Sequence, residues 1–366
     1  MRILLVLASV ATTLLVSVTG FGQSSAPAQA NEFLCAVWPN RVLYFDQMTD
    51  EFTEAFHTRH GAITGSGVTS DKSRLFVITN RMESVEIIDP IERDLVDAIK
   101  LSSASRQIRI SRVSPNQDGT KLYLAVTVVN RALDRFELEE GVELITYDVA
   151  NKKVIDEFSL PRTVMPSGRS RIHVAPDGES FYVIARDVHQ VDAETHEVID
   201  RLELSKPFQP GYGAVRGMSL IETEPGTFYG IYRTTDPVQK RKLFGVTKLE
   251  LYDKRVSTFE LGLELRLRRF ALSPDGKKAY AGLQDMIAID MEKRKVLLKK
   301  EGFERGRENL SIIVSHDGTK LYVSGVGDTM YVYDAQTLEP IKTVFAGGDF
   351  MLPPIEIPRS AAAPSR

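Results

Sequence analysis

Short apolar runs that end in aspartate recur along the chain and predict its secondary structure. Seven such segments are present, among them Met286–Asp290 and Met330–Asp334. The other five share this form and end at Asp46, Asp89, Asp148, Asp192 and Asp253. The four residues before each Asp are mostly apolar, β-branched or aromatic, and short segments of this composition favour strands over helices. The terminal Asp is predicted to accept backbone N–H groups of the turn that follows it.

A turn motif lies between many of these strands. It has the form Ser/Ala-Pro-Asp-Gly at Ser273–Gly276 and Ala175–Gly178, and His replaces Pro in Ser315–Gly318. Glycine adopts positive φ without steric cost, which a tight turn requires, and a strand such as Lys320–Val323 follows each turn. Successive terminal aspartates lie 37 to 61 residues apart. This period predicts an all-β, seven-bladed β-propeller over residues 31–358.

The C-terminus is predicted to close the ring. The first strand, Phe33–Val37, is followed directly by an Asp-ending partner, and no innermost strand precedes them. Phe350–Ile357 is a spare apolar segment that is predicted to return to blade one and remove its open edge. Pro353 and Pro354 weaken this prediction because proline cannot donate to a strand ladder. The small and polar residues 359–366 are predicted to form a flexible tail.

The first thirty residues have the pattern of a secretory signal peptide. Arg2 gives a positive start, Ile3–Val18 is apolar, and Ala28–Ala30 offers a small-residue cleavage site. The alternative is an uncleaved anchor helix. Cys35 is the single cysteine, so an intrachain disulfide is impossible. A periplasmic location is therefore predicted in preference to a disulfide-dense extracellular one.

Composition and motifs point away from several functions. The chain is 43% hydrophobic and 26% charged, with a net charge of −3, so nothing argues for nucleic acid or membrane as a partner. It has no P-loop, no nucleophile elbow and no haem-attachment motif. His57 and His60 have metal-ligand spacing but no third ligand follows, and Cys35 is predicted to be a buried thiol. The sequence therefore predicts no catalytic, cofactor-binding or metal-binding residue in this chain.

Two blades carry extra residues between their second and third strands, at 130–141 and 233–244. Both insertions are predicted to emerge from the same face of the disc. Long loops on a rigid scaffold often carry binding functions, and the alternative is a tolerated insertion. The candidate interaction residues are Arg131, Asp134, Arg135, Phe136, Lys240, Arg241 and Phe244.

Arginines concentrate in or just before the predicted inner strands, which line the axial channel. Alternation along Leu265–Ala271 places Arg266 and Arg268 on one face, and His173 lies in another inner segment. These three are candidate channel residues that bind an anion or an acidic partner. The alternatives are salt bridges between blades and a satisfied core histidine. The full arginine set is Arg106, Arg109, Arg112, Arg169, Arg171, Arg266, Arg268 and Arg269.

The chain resembles the β-propeller (beta) subunit of quinohemoprotein amine dehydrogenase and, more loosely, bacterial seven-bladed propellers of the YVTN type. The nearest stretches are Ile184–Asp192 and Val314–Gly325, and the second continues into Val332–Glu339. The insertion before Glu143 also falls where that family has one. The resemblance extends over the whole mature chain.

The resemblance implies a periplasmic heterotrimer that oxidises primary amines. A small subunit would carry cysteine tryptophylquinone, and a dihaem c-type cytochrome subunit would carry the electrons onward. The propeller would then be a non-catalytic subunit without a cofactor of its own. The alternative hypothesis is a stand-alone periplasmic propeller that binds a protein or a small ligand.

Overall fold

The computed structural model describes residues 31–358 except for eight gaps, at 166, 168–169, 207–215, 237, 264–266, 284, 302–308 and 326. The predicted signal peptide (1–30) and flexible tail (359–366) lie outside the described residues. Almost all regular structure is β, and one short 3₁₀ helix covers Asn80–Met82. Among the described residues, no helix is long and apolar enough to cross a membrane.

The strands form seven antiparallel sheets, each the blade of a propeller, and this confirms the predicted fold. Blades one to three contain β1 (Glu32–Val37), β2 (Arg41–Asp46), β3 (Glu51–His57); β4 (Gly65–Val68), β5 (Leu75–Thr79), β6 (Ser84–Asp89), β7 (Asp94–Lys100); β8 (Arg106–Pro115), β9 (Lys121–Arg131), β10 (Phe136–Leu138), β11 (Leu144–Asp148), β12 (Lys153–Phe158). Blades four and five contain β13 (Arg171–Val174), β14 (Ser180–Ile184), β15 (Val188–Asp192), β16 (Val198–Leu202); β17 (Arg216–Glu224), β18 (Thr227–Thr235), β19 (Lys242–Glu250), β20 (Arg255–Leu263). Blades six and seven contain β21 (Leu267–Leu272), β22 (Lys278–Leu283), β23 (Met286–Asp290), β24 (Lys295–Lys300); β25 (Asn309–Val314), β26 (Lys320–Gly325), β27 (Thr329–Asp334), β28 (Pro340–Phe345), and the last strand is β29 (Ile355–Ile357).

The last strand closes the ring as predicted. Strand β29 pairs antiparallel with β1, with Ile355 opposite Leu34, and supplies the innermost strand of blade one. Upstream, Phe350 makes a single bridge to Val37. The two prolines lie between these paired pieces, at a point where no ladder hydrogen bond is lost. The closing segment is therefore in the predicted place but is a strand over only its last three residues.

The repeated aspartates form the predicted turns. Asp334 Oδ1 accepts hydrogen bonds from the N–H groups of Gln336 at 2.8 Å and Thr337 at 2.7 Å. Bonds of the same kind are made by Asp46, Asp89, Asp148, Asp192 and Asp290. In the other turn motif, Gly276 has φ of 69° and Asp275 accepts from the N–H of Lys277. These turns are therefore closed by hydrogen bonds between residues close together in the sequence.

Blade five departs from this pattern, and the prediction of a strand ending at Asp253 is wrong. Strand β19 ends at Glu250, which lies opposite Arg255 in the ladder. Ion pairs of 2.7 Å with Arg255 and Lys248 hold the pKa of Glu250 at about 2. Glu250 therefore occupies the position of the repeated Asp, and Asp253 lies in the turn beyond it. The shift carries the intervening Tyr252 toward the axis of the disc.

The core lies between the faces of neighbouring blades. Buried tyrosines join adjacent blades: Tyr280 donates to the carbonyl of Ala335 at 2.9 Å, and Tyr322 donates to Asp50 at 2.9 Å across the closing seam. Cys35 packs in that seam beside Phe33 and is fully buried. Burial raises the pKa of its thiol, and the prediction of a buried thiol is confirmed.

Candidate functional site

The two ends of the propeller axis differ in which connections reach them. Strand direction alternates within a blade, so the turns joining strands one to two and three to four share one end. We call this end the turn face; Ser273–Gly276 is one of its turns. The connections between strands two and three project from the other end, which we call the insertion face. Both predicted insertions lie there because they join β9 to β11 and β18 to β19.

A funnel of about 990 Å³ opens at the turn face around the axis. All seven innermost strands contribute to its wall, from β4 in blade two to the closing strand β29. Blades four and five place a cluster of ionisable side chains in it. Arg171, His173, Glu222 and Tyr252 belong to this cluster, and Arg112 of blade three lines the same funnel.

His173 is the centre of the cluster. Its Nε2 lies 2.8 Å from the hydroxyl of Tyr252, and its Nδ1 lies 3.3 Å from Glu222 Oε1. The N–H of Gly226 donates to the same carboxylate oxygen at 3.0 Å. The imidazole also packs edge-on against the ring of Phe228, with centroids 5.5 Å apart. The histidine therefore joins blade four to blade five while lining the funnel.

The surroundings shift the pKa values of two groups bonded to His173. Partial burial disfavours ionisation of Glu222, but His173, the Gly226 N–H and Arg171 outweigh it and lower the pKa of that carboxyl. Partial burial and the Glu222 charge raise the pKa of Tyr252 to about 12. Glu222 is thus an anion and Tyr252 a neutral phenol near neutral pH.

Arg171 lies beside this cluster without a carboxylate partner of its own. Its guanidinium carbon is 5.4 Å from the centre of the Phe228 ring. Within the described part of the chain it forms no ion pair. Burial and the charge of Arg112 lower its pKa, and Glu222 acts in the opposite direction. The inner wall therefore holds a positive charge that no neighbouring side chain neutralises directly.

The structure describes two of the three predicted channel residues, His173 and Arg268, and they lie in different surroundings. His173 lies in the funnel wall, whereas Arg268 is an exposed residue of β21 outside that wall. Arg266 lies outside the described residues. Arg106 forms ion pairs with Glu139 at 2.9 Å and Glu157 at 2.6 Å. Both partners belong to blade three, so these are contacts within one blade and not the salt bridges between blades that were the alternative.

The first insertion forms a hairpin that extends blade three beyond the insertion face. Strand β10 pairs with the last three residues of β9. Its apolar side chains point into solvent: Leu133 is fully exposed, Phe136 is 74% exposed and Leu138 is 64% exposed. Arg135 pairs with Asp134 at 3.2 Å, and both are exposed. Arg131 ends β9 and is also exposed.

The second insertion is not a long loop, and the placement of Phe244 on an interaction loop is wrong. Its residues lengthen β18 and β19 to nine residues each, with Arg233 opposite Phe244. Phe244 is consequently buried. Lys240 and Arg241 lie in the tight turn, where Arg241 is 3.4 Å from Asp236. The pattern of β-branched and apolar residues was sufficient to continue the ladder.

His57 and His60, the two histidines with metal-ligand spacing, have local partners. His60 Nδ1 lies 3.0 Å from the buried carboxylate of Glu86, and His57 contacts Asn40 at 3.2 Å. Across the described ranges, no three His, Cys, Asp or Glu side chains are grouped so that they could hold a metal ion.

Comparisons with known proteins identify the fold. No protein-family profile matches the chain, and no curated protein sequence does. Among solved structures, it is similar to a functionally unknown protein from Desulfotomaculum acetoxidans, with 12% identity, a TM-score of 0.55, and coverage of 90% of this chain and 100% of that one. Dihydro-heme d1 dehydrogenase NirN, solved with DHE, has 14% identity and a TM-score of 0.53 over 92% of this chain and 76% of that one. Kuenenia stuttgartiensis hydrazine synthase has 14% identity and a TM-score of 0.46, and the match covers 85% of this chain and 90% of that one.

Sequence reasoning missed Glu222 and Tyr252 as members of the site. The motif Glu224-Pro225-Gly226 in blade five was a usable signal, because it replaces the Pro-Asp-Gly turn of the other blades. In this turn the backbone N–H of Gly226 donates a hydrogen bond to Glu222. Tyr252 gave no such signal, since it occupied the core position of an expected strand.

Proposed function

We propose that this chain is a non-catalytic propeller subunit of a periplasmic quinohemoprotein amine dehydrogenase. In this proposal it holds a small subunit that bears cysteine tryptophylquinone against a dihaem c-type cytochrome subunit. The complex oxidises primary amines, and both cofactors belong to the partner subunits. The proposal includes export through the signal peptide at 1–30.

The exposed hairpin on the insertion face carries the proposal. Leu133, Phe136 and Leu138 present three large apolar side chains to solvent on one short segment. A run of exposed apolar side chains on a rigid support is typical of a surface that another protein covers. Arg106 fixes the base of the hairpin by binding Glu139, which favours a preformed docking surface.

Two further observations are consistent with a non-catalytic role. The resemblance of Ile184–Asp192 and Val314–Gly325 concerns a subunit that has no cofactor. The solved structures with a similar fold include that of dihydro-heme d1 dehydrogenase NirN, so this fold occurs in an oxidoreductase.

The test is a pull-down of the tagged chain from its native periplasm. The eluate is examined by haem staining, by mass spectrometry for a crosslinked small chain, and by amine-dependent dye reduction. We expect a c-type cytochrome, a small quinone-bearing chain and amine oxidation together. A colourless monomer without partners would contradict the proposal.

A matched pair of variants locates the contact. The double variant Leu133→Ser/Phe136→Ser is expected to lose both partners because it removes the apolar area of the hairpin. Met48→Ser is the control: Met48 is 69% exposed and lies in a turn on the turn face. Equal recovery of partners by both variants would exclude the hairpin as the docking surface.

The second candidate function is a stand-alone propeller that binds a small ligand. The funnel at the turn face favours it, because Arg171 has no ion-pair partner among the described residues. This candidate predicts a stable monomer in the pull-down and ligand binding that the hairpin variant does not alter.

A further inference from the structure

The funnel wall combines two guanidinium groups with apolar surface. Arg112 in β8 and Arg171 in β13 come from neighbouring blades and line the same cavity. Phe228 packs beneath Arg171, and the apolar residues Ile172 and Phe270 also line the cavity. A guanidinium fork matches the two oxygens of a carboxylate, and a stacked aromatic ring holds its plane in place.

The acidic residues of the funnel already have partners or lie apart from Arg171. Glu222 is bound by His173 and Gly226. Asp275 accepts from the hydroxyl of Ser273 at 2.6 Å, and Glu356 accepts from Asn31 at 2.9 Å. None of these carboxylates lies within ion-pair distance of Arg171. The charge on Arg171 is therefore available to a ligand.

The hydrogen bonds of His173 hold this wall in position. Glu222 and Tyr252 bind opposite nitrogens of the imidazole, so the ring cannot turn without breaking one of them. Its edge-on contact with Phe228 supports the same ring on which Arg171 lies. A charged group fixed by its neighbours loses little entropy on binding.

We infer that the funnel at the turn face binds a small organic carboxylate, whose carboxyl group is held by Arg171 in the positive field of the nearby Arg112 and whose apolar part lies along the inner wall. A volume of about 990 Å³ is ample for such a ligand. The inference does not rest on the proposed function, since the funnel opens opposite the insertion face.

The test is isothermal titration calorimetry of the full-length chain with sodium benzoate, against sodium chloride at equal ionic strength. We expect saturable binding of one benzoate, with a Kd of about 1 mM or tighter. Arg171→Gln is expected to weaken it roughly tenfold to a hundredfold, because a charge-assisted bidentate contact is lost. The control is Arg162→Gln, which removes an arginine whose side chain is 73% exposed and pairs with Glu143; it is expected to leave the Kd unchanged.

Two further arms keep the inference falsifiable. Inorganic phosphate serves as the competing oxyanion, and saturable binding of phosphate without benzoate would overturn the carboxylate assignment. Labelling of the wild-type chain with phenylglyoxal needs no variant: benzoate is expected to protect Arg171 but not Arg162, as read by peptide mass spectrometry. Absence of saturable benzoate binding, or equal protection of both arginines, would overturn the site.

Discussion

The two faces of this propeller use the same scaffold in opposite ways. On the turn face, short turns closed by aspartate surround a funnel in which His173, Glu222 and Tyr252 bind one another, while Arg171 has no ion-pair partner among the described residues. On the insertion face, a hairpin places apolar side chains in solvent with only its base bonded to the blade. The turn face therefore suits a small ligand, whereas the insertion face suits a protein partner that covers apolar area.

Substituting one glycine on each face distinguishes the cost of backbone strain from the cost of steric overlap, because both glycines have positive φ but only one is closely packed. Gly226 has φ of 75°, and a Cβ there would lie 2.4 Å from the Tyr252 ring. Gly141 has φ of 85°, and a Cβ there would meet nothing within 4 Å. We expect Gly226→Ala to cost about 2–5 kcal/mol from strain and overlap, and Gly141→Ala about 1–2 kcal/mol from strain alone. Urea unfolding measures both, and equal losses would show that the turn-face packing is not tight.

The hairpin base gives the next largest expected effect. Arg106 forms bidentate hydrogen bonds with the carboxylates of Glu139 and Glu157, and these bonds raise the pKa of Arg106. Arg106→Gln is expected to cost about 1–2 kcal/mol and to speed proteolysis within 132–141. Arg135→Gln is the control in the same hairpin; Arg135 is 62% exposed, so its ion pairs contribute little. Unchanged cleavage of the Arg106 variant would mean that β-pairing alone fixes the hairpin.

The carboxyl group of Glu222 in the funnel is expected to make the stability of the fold depend on pH. The folded state lowers the pKa of Glu222 below its ordinary 4.5, so its stabilisation is complete above that pH and is lost as the pH falls through the folded value. Glu222→Gln is expected to cost less than about 1 kcal/mol at pH 7, because the side chain is more than a third exposed.

This difference from the wild type should be smaller at about pH 3.5 than at pH 7, because below pH 4.5 the Glu222 carboxyl of the unfolded wild-type chain binds a proton and the folded state loses its advantage. Urea midpoints at the two pH values measure it. Glu224→Gln, two residues along the same strand and also exposed, controls for the loss of one negative charge. A difference that stays constant with pH would exclude Glu222 as the responsible group.

The smallest expected change in the free energy of unfolding comes from substitutions at the apolar tip of the hairpin. Leu133→Ser/Phe136→Ser should change the free energy of unfolding by no more than about 0.5 kcal/mol, since both side chains are exposed in the folded chain. Urea unfolding of the isolated chain checks this. A larger loss would mean that the hairpin packs on its own blade and that its surface is not kept for a partner.

Some predictions followed directly from local sequence. The terminal Asp of a strand and the Gly of a turn bond within a few residues, as Asp334 does with Thr337. Such bonds depend on short-range geometry, which a sequence motif specifies. The blade count and the closing strand followed from the repeat of those motifs and from the unpaired first strand.

Local sequence motifs gave wrong predictions in blade five, where the strands depart from the repeat. In blade five, Glu250 takes the position of the repeated Asp, and the ladder with β20 decides this register. Phe244 was expected in a loop but belongs to a lengthened strand, because β18 and β19 pair over nine residues, which is longer than most second and third strands of the other blades.

By itself, the sequence determined the propeller, its seven repeats, most of its Asp-closed turns, the buried Cys35 and ring closure by the segment Phe350–Ile357. Only the tertiary structure decided the funnel cluster and the exposure of the hairpin. His173 and Tyr252 are 79 residues apart and meet because blades four and five pack side by side. Contacts between blades depend on how whole sheets are arranged around the axis, and no motif within a single repeat records that arrangement.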